Sequence, residues 1–500
     1  MLTPSKCEVI ITRFRTKMTE RANTTAQQTV SPEDKSLPEN NTLIELAEGV
    51  FLTRGARRAA ICDTNTGNVY SINESAVAVV LGEQENPEYW RQLKDLDLVS
   101  TVGGIKTAEI RKQEPKLDFV WFEIVSDDCN ESCAHCYAES MPPAYRKALG
   151  LTNKTENESV AFDERPKLTS EEWKKLIQEG FDLGARRCQF IGGEPFVYHD
   201  GTKRVLDLAE YAKNAGYEFI EIFTNATLIT PADLVKIKEL GLHVAVSLYS
   251  ADSQVHDSIT NLPRSQERTT TVLKRLKEAG IPTRVESVLM KQNQQTVPQT
   301  MIFIEEIGFE PHSPDVLRPK GRGDNPKIQP DEESLVRYGL MLGPNFSAPR
   351  EVFERYYSSH SCLAGKITIT DRGDVLPCIF SRDQITGNVR ESGSLKAVIE
   401  DEKLVTVWKT TKDNVLVCQD CEYRYVCFDC RPLSQGANNG NGEYKTAPYP
   451  RCTYNPYEGE WGEGTWKLDE QGNPYYDESL KQIIKKVRAE GSEGNQAKGH

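Results

Sequence analysis

LDFVWFEIVSDDCNESCAHCY, residues 117–137, begins as a run rich in aromatic and β-branched residues and ends on three cysteines, Cys129, Cys133 and Cys136, spaced C-x3-C-x2-C. The run LDFVWFEIV reads as a buried strand, with the cysteines on the loop that follows it. Three thiols are one too many for a disulfide and one too few for a tetrahedral zinc site. Downstream, the strand-then-helix pattern repeats. RCQFIGG, YEFIEIFTN, HVAVSLYS and TRVESVLM read as strands. TSEEWKKLIQEGFDLG, KRVLDLAEYAKNAG, PADLVKIKELG, RTTTVLKRLKEAG and TVPQTMIFIEEIG read as helices, each closing on glycine, the first with a capping box from Thr169 or Ser170 to Glu172. Five strand–helix units in a row predict an α/β fold, a parallel sheet in a partial or full β/α barrel. Ligands of such folds sit at the carboxyl ends of the strands. The chemistry-bearing residues fall there. The cysteines follow the first strand, and Gly192, Gly193, Glu194 and Pro195 follow the second. Thr224 and Asn225 end the third, and Ser247 lies near the end of the fourth.

The rest of the chain narrows the chemistry. A net charge of −13 argues against nucleic-acid binding, which needs a basic face. No run of eighteen apolar residues predicts a membrane span, and the first twenty residues lack a signal-peptide pattern, so a cytoplasmic, reducing setting is expected. Thirteen cysteines there point to metal or redox chemistry rather than disulfides. Their distribution agrees: three lie at 129–136, seven between 362 and 452, and only Cys7, Cys62 and Cys188 stand apart. Cys62 and Cys188 read as core, and Cys7 is assigned nothing.

Residues 1–40 read as a disordered tail. Residues 41–105 read as a small α+β unit, with two strand-like runs around the turn DTNTGN and then two short helices. The barrel spans 115–312, a bridging region 313–360, a cysteine-rich domain 361–455, and a loop-like tail 456–500 in which LKQIIKKVRAE is a short helix.

Three cysteines can hold three irons of a [4Fe-4S] cluster and leave the fourth open. On a loop after the first barrel strand, C-x3-C-x2-C resembles the radical S-adenosylmethionine (SAM) superfamily. The resemblance covers roughly 115–310 and implies a partial (β/α)6 TIM-like barrel. It implies that the open iron binds the amino and carboxylate groups of SAM, with Gly192, Gly193 and Glu194 at the SAM amino group. Thr224, Asn225 and Ser247 would contact ribose and carboxylate, and Tyr137 would lie near adenine. Reductive cleavage of SAM to a 5′-deoxyadenosyl radical follows from the same likeness. The alternative is zinc held by the three cysteines and His135, where ligation by adjacent His135 and Cys136 would strain the loop.

Cys362, Gly373 and Cys378, then Cys418-x2-Cys421-x5-Cys427-x2-Cys430 and Cys452, resemble the SPASM domain, which carries two auxiliary [4Fe-4S] clusters. The family pattern has three residues where this chain has two, between Cys427 and Cys430. Carried over by position, Cys418, Cys421, Cys427 and Cys452 hold an outer cluster. Cys362, Cys378 and Cys430 hold an inner one, whose fourth site is open, taken by a ligand such as His360, or in contact with substrate. The same CxxC-x5-CxxC spacing is also zinc-ribbon-like. GKITITDRGDVLPC reads as the hairpin that begins such a domain.

Enzymes of this likeness modify peptides, which implies a ribosomally made precursor peptide with a leader as substrate and a flavodoxin or ferredoxin as electron donor. The 41–105 unit would add the leader as an extra strand, or would only cover the barrel. A crosslink is expected. The alternatives are a protein-modifying oxidase of the sulfatase-maturing kind, an epimerase, a backbone-excising enzyme, or a non-catalytic zinc scaffold. Ile379 stands where the sulfatase-maturing enzymes have Asp. Asp257 and Glu286 read as structural carboxylates, and no acid–base residue is singled out.

Overall fold

The computed structural model describes residues 46–100, 110, 112–150, 165–343, 346–436 and 442–496. The tail over 1–40, with Cys7, lies outside the described residues, as do 151–164 of the polar excursion before the first barrel helix.

Three antiparallel strands open the described chain, β1 (Val50–Arg54), β2 (Ala59–Asp63) and β3 (Asn68–Ile72). The first of the two runs is broken into β1 and β2 because Gly55 N donates to Arg58 O at 2.7 Å and closes a turn. Helices Glu74–Val80 and Pro87–Asp95 follow, each capped by an asparagine side chain, Asn73 and Asn86. Both sheet faces are buried. Val50, Ile61 and Ile72 pack on the unit's own helices. Phe51, Ala60 and Cys62 instead pack on Phe353, Tyr423, Val426 and Tyr454, so the unit leans on the cysteine-rich lobe. Arg424 Nη1 donates to Arg54 O and Ala56 N to Asp420 O, which fixes it there.

The barrel sheet runs β4 (Phe119–Val125), β5 (Arg187–Gly192), β6 (Phe219–Thr224), β7 (His243–Ser247) and β8 (Thr283–Glu286), all parallel and in sequence order. Strand alternation sorts the residues. Val120, Phe122 and Ile124 pack outward against Trp173, Leu176 and Ile177, while Trp121 turns to the lumen beside Ile191 and Phe223. Cys188 and Phe190 belong to the outward core, as expected for Cys188. The run TRVESVLM is two strands. β8 pairs with β7, and after Ser287 the chain shifts so that β9 (Val288–Leu289) pairs parallel with β10 (Asp315–Val316), the sixth rung. The capping box is Thr169 with Glu172, and Gly216, Gly241 and Gly280 end their helices in the left-handed conformation.

The hairpin β11 (Lys366–Thr370) and β12 (Asp374–Leu376), turned at Gly373, is not confined to the C-terminal domain. β11 pairs parallel with β4, so the barrel sheet and the cysteine-rich domain share one eight-stranded sheet, ending in β13 (Gly387–Asn388). The loop-like reading of 456–500 is corrected. Two short ladders, β14 (Tyr454–Asn455) with β15 (Glu460–Trp461) and β16 (Thr465–Leu468) with β17 (Pro474–Asp477), lead into helix Leu480–Gln496. Trp466, Leu480, Ile484 and Val487 are buried, and Trp466 Nε1 donates to Tyr454 O, which gives this segment an apolar anchor.

Candidate active site

The loop after β4 and the turn after β5 are sewn together by backbone. Gly193 N donates to Val125 O at 2.6 Å and Glu194 N to Asp128 O at 3.2 Å. A Cβ on Gly192 would meet Val125 O at 2.0 Å, and one on Gly193 would meet Asp128 O at 2.1 Å. The two glycines are thus required by the approach of the cysteine loop.

Glu194 is wholly buried and gathers the next two sites. It accepts hydrogen bonds from Thr224 Oγ1 at 2.7 Å, Asn225 N at 2.9 Å and Phe196 N at 3.0 Å. Burial pushes its carboxyl up to about 7, against the pull of those three donors. Asn225 Nδ2 donates to Asn130 Oδ1 at 2.9 Å and lies 4.0 Å from Cys129 Sγ. Glu194, Thr224 and Asn225 therefore form one network against the cysteine loop. Ser247 ends β7 in register with Glu286 and stands apart from that network, half-buried.

The thiols of Cys129, Cys133 and Cys136 lie within electrostatic reach of one another, and burial raises the first two. His135 sits edge-on to Tyr249, ring centroids 4.6 Å apart, and burial holds its pKa down to about 4. Among the described residues no three His, Cys, Asp or Glu side chains converge closely enough for one metal ion. Thiols of an iron–sulfur cluster each bind a different iron and stand farther apart.

The C-terminal cysteines sort into two sets by the same measure. Cys362, Cys378 and Cys430 lie within reach of each other, despite the shortened spacing before Cys430. Cys418, Cys421, Cys427 and Cys452 line one cavity together. That cavity of four thiols fits a four-iron cluster. His360 does not turn to the inner set. Its Nδ1 accepts from Cys362 N and Leu363 N, both at 3.1 Å, and Nε2 faces Asp429 at 3.4 Å. It caps the Cys362 loop.

Tyr137 connects the first and inner sets. Its ring is edge-on to Phe380 at 4.9 Å and packs with Trp121, Phe223 and Ile379, within reach of both Cys136 and Cys378. Its hydroxyl is buried with no partner among the described residues. Of the two carboxylates read as structural, Asp257 accepts from Gln266 N and Ser265 Oγ. Glu286 joins Arg284 and Glu221 inside the barrel.

Four groups escaped the sequence. Arg322 donates to three carbonyls of the cysteine loop, Cys133 O at 2.9 Å, Glu139 O at 2.8 Å and Ser140 O at 2.7 Å. Its only signal is the flanking pair Gly321 and Gly323, where a Cβ would meet Tyr137 O and Arg318 O. Glu123 pairs with Arg382 in the lumen. Arg318 lies over Phe380, its guanidinium 4.4 Å from the ring centroid, and reaches Cys430. Lys412 Nζ donates to Cys427 Sγ at 3.2 Å.

The model of the radical SAM superfamily matches residues 124–304, which run from the end of β4 through the cysteine loop and past β8. Residues 124–304 form a radical SAM domain. The model of the SPASM iron–sulfur cluster-binding domain matches residues 362–422. The enzyme's cofactors are [4Fe-4S] clusters and SAM. An AdoMet-dependent heme synthase of Methanosarcina barkeri is 26% identical over 66% of this chain and 94% of its own length. The antilisterial bacteriocin subtilosin biosynthesis protein AlbA of Bacillus subtilis is 28% identical over 52% of this chain and 55% of its own. A PqqA peptide cyclase of Bradyrhizobium diazoefficiens is 24% identical over 58% and 79%. Among the described residues no helix is long and apolar enough to cross a membrane.

Proposed function

We propose that this radical SAM enzyme modifies a ribosomally made precursor peptide, with a crosslink as the product. Cys129, Cys133 and Cys136 would hold the SAM-binding cluster. Cys362, Cys378 and Cys430 would hold the inner auxiliary cluster, and Cys418, Cys421, Cys427 and Cys452 the outer one. When bound, these groups supply a carbon-centred radical able to take hydrogen from an unactivated carbon, and sites for the electron a net oxidation leaves over. The observation that carries the reading is the placement of Tyr137, which follows Cys136 directly in the chain and packs in one apolar cluster with Cys378 of the inner set. A substrate in the barrel lumen would meet both.

The protein's own groups have three tasks. Glu194, held by Thr224 and Asn225, would receive the SAM amino group beside Gly192 and Gly193, while Thr224, Asn225 and, from its separate place at the end of β7, Ser247 would contact ribose and carboxylate. Trp121, Phe223, Ile379 and Phe380 exclude water. Gln189, Glu221, Arg284 and Glu286 form a hydrogen-bonded charge row within the barrel that suits a polar side chain of the substrate. For the leader, β3 is offered as the edge of the N-terminal sheet, since among the described residues it pairs with β2 alone, while β1 ends in Arg54, whose carbonyl is taken by Arg424. The names of two relatives, a peptide cyclase and a bacteriocin biosynthesis protein, support a peptide substrate, while the heme synthases give the rival reading. A flavodoxin or ferredoxin would supply electrons.

The test is mass spectrometry of a precursor peptide encoded beside this chain, after incubation with the reconstituted enzyme, SAM and reductant. A net loss of two hydrogens is expected. An untouched peptide alongside a converted haem precursor contradicts the reading. Glu194→Gln places an amide N–H₂ against the Thr224, Asn225 and Phe196 donors. SAM affinity is then expected to fall about tenfold or more, read by equilibrium binding. An unchanged affinity would remove Glu194 from the SAM site.

A further inference from the structure

Lys412 stands on the short 3₁₀ turn Lys412–Asn414, and only 6% of it is exposed. Its Nζ has two partners, Cys427 Sγ at 3.2 Å and Phe428 O at 2.8 Å. Among the described residues no carboxylate lies within ion-pair distance of it. Asp429, the carboxylate that bears on it electrostatically, is already committed to Arg431 at 2.7 Å and faces His360. A buried ammonium without a counter-ion is costly, and such charges persist where an anion meets them. The anion available here is the thiolate set of the cavity that Lys412 lines with Cys418, Cys421, Cys427 and Cys452. The inner set is different. The cation at Cys430 is Arg318, and it is neutralised by Asp315 at 2.6 Å.

Resting on the cluster assignment above, we propose that Lys412 sets the potential of the outer auxiliary cluster, its ammonium serving as that cluster's counter-charge and raising its reduction potential. Reduction adds one negative charge to the cluster, and a fixed positive charge 3.2 Å from a ligand sulfur favours the reduced form. The outer site thereby becomes a favourable resting place for an electron drawn away from the lumen.

The experiment is an EPR-monitored redox titration of the reconstituted full chain as wild type, Lys412→Met and Lys412→Arg, with iron counted in each. The outer signal is identified by its loss in a Cys418→Ala/Cys421→Ala variant. Lys412→Met is expected to move the outer midpoint to more negative potential with the other two clusters unmoved, and Lys412→Arg to stay near wild type. An unmoved midpoint at full iron content overturns the proposal. Loss of the outer irons from Lys412→Met but not from Lys412→Arg supports the counter-charge role, because Lys412→Arg keeps the positive charge and the donors that Lys412→Met removes. Loss from both overturns it. A wild type that binds only two clusters fails differently, by removing the cluster assignment itself.

Discussion

Gly193→Ala is expected to empty the first cysteine site while sparing the other two. The new Cβ would stand 2.1 Å from Asp128 O and 3.0 Å from Ser140 Cβ, where no side chain rotates aside because the nearest atom is backbone. The turn cannot retreat, since the amides of Gly193 and Glu194 are bonded to Val125 O and Asp128 O. Relief therefore displaces the Asp128–Cys129 junction, at a cost of about 3 kcal/mol. Iron is expected to fall by roughly four per chain, and 5′-deoxyadenosine formation to vanish. The auxiliary signals persist because Cys362 to Cys452 lie on other elements. A variant that keeps full iron and cleaves SAM at the wild-type rate would show that the glycines are not needed for the loop.

Arg322→Ala removes one side chain and leaves three carbonyls of the cysteine loop without their donor. Charge-assisted hydrogen bonds of this kind are worth roughly 1.5–3 kcal/mol each. A loop loosened by even one such bond misplaces the ligands. SAM cleavage is expected to fall about 10–100-fold, the range typical for lost second-layer support of a metal site. The auxiliary irons stay. Arg322→Lys recovers little, because an ammonium does not reproduce the spread of the guanidinium fork. Steady-state 5′-deoxyadenosine production with iron analysis checks this. Wild-type rates in Arg322→Ala would mean the loop stands without it.

Local chemistry in this chain was legible and long-range chemistry was not. Cysteine spacing, strand-end position and the Thr169 capping box are each written within a few residues, so the barrel and its rim were readable. Arg322 meets its partners 182 to 189 positions upstream, and no local pattern encodes that. Lys412 reaches Cys427 for reasons of tertiary packing alone. The break at Ser287 was hidden because periodicity within one strand is blind to which neighbour it pairs with. The C-terminal ladders are four residues or shorter and rich in polar residues, too brief for alternation to show. The hairpin at Gly373 is legible as a hairpin, yet its parallel pairing to β4 depends on a partner 247 residues earlier.

The measurement that tests the account most directly is iron and sulfide per chain on anaerobically reconstituted protein, followed by dithionite and SAM. Roughly twelve irons per chain with 5′-deoxyadenosine released is the expected result. Stoichiometric zinc with no cleavage of SAM would contradict it, and the three thiol sets would then be structural metal sites.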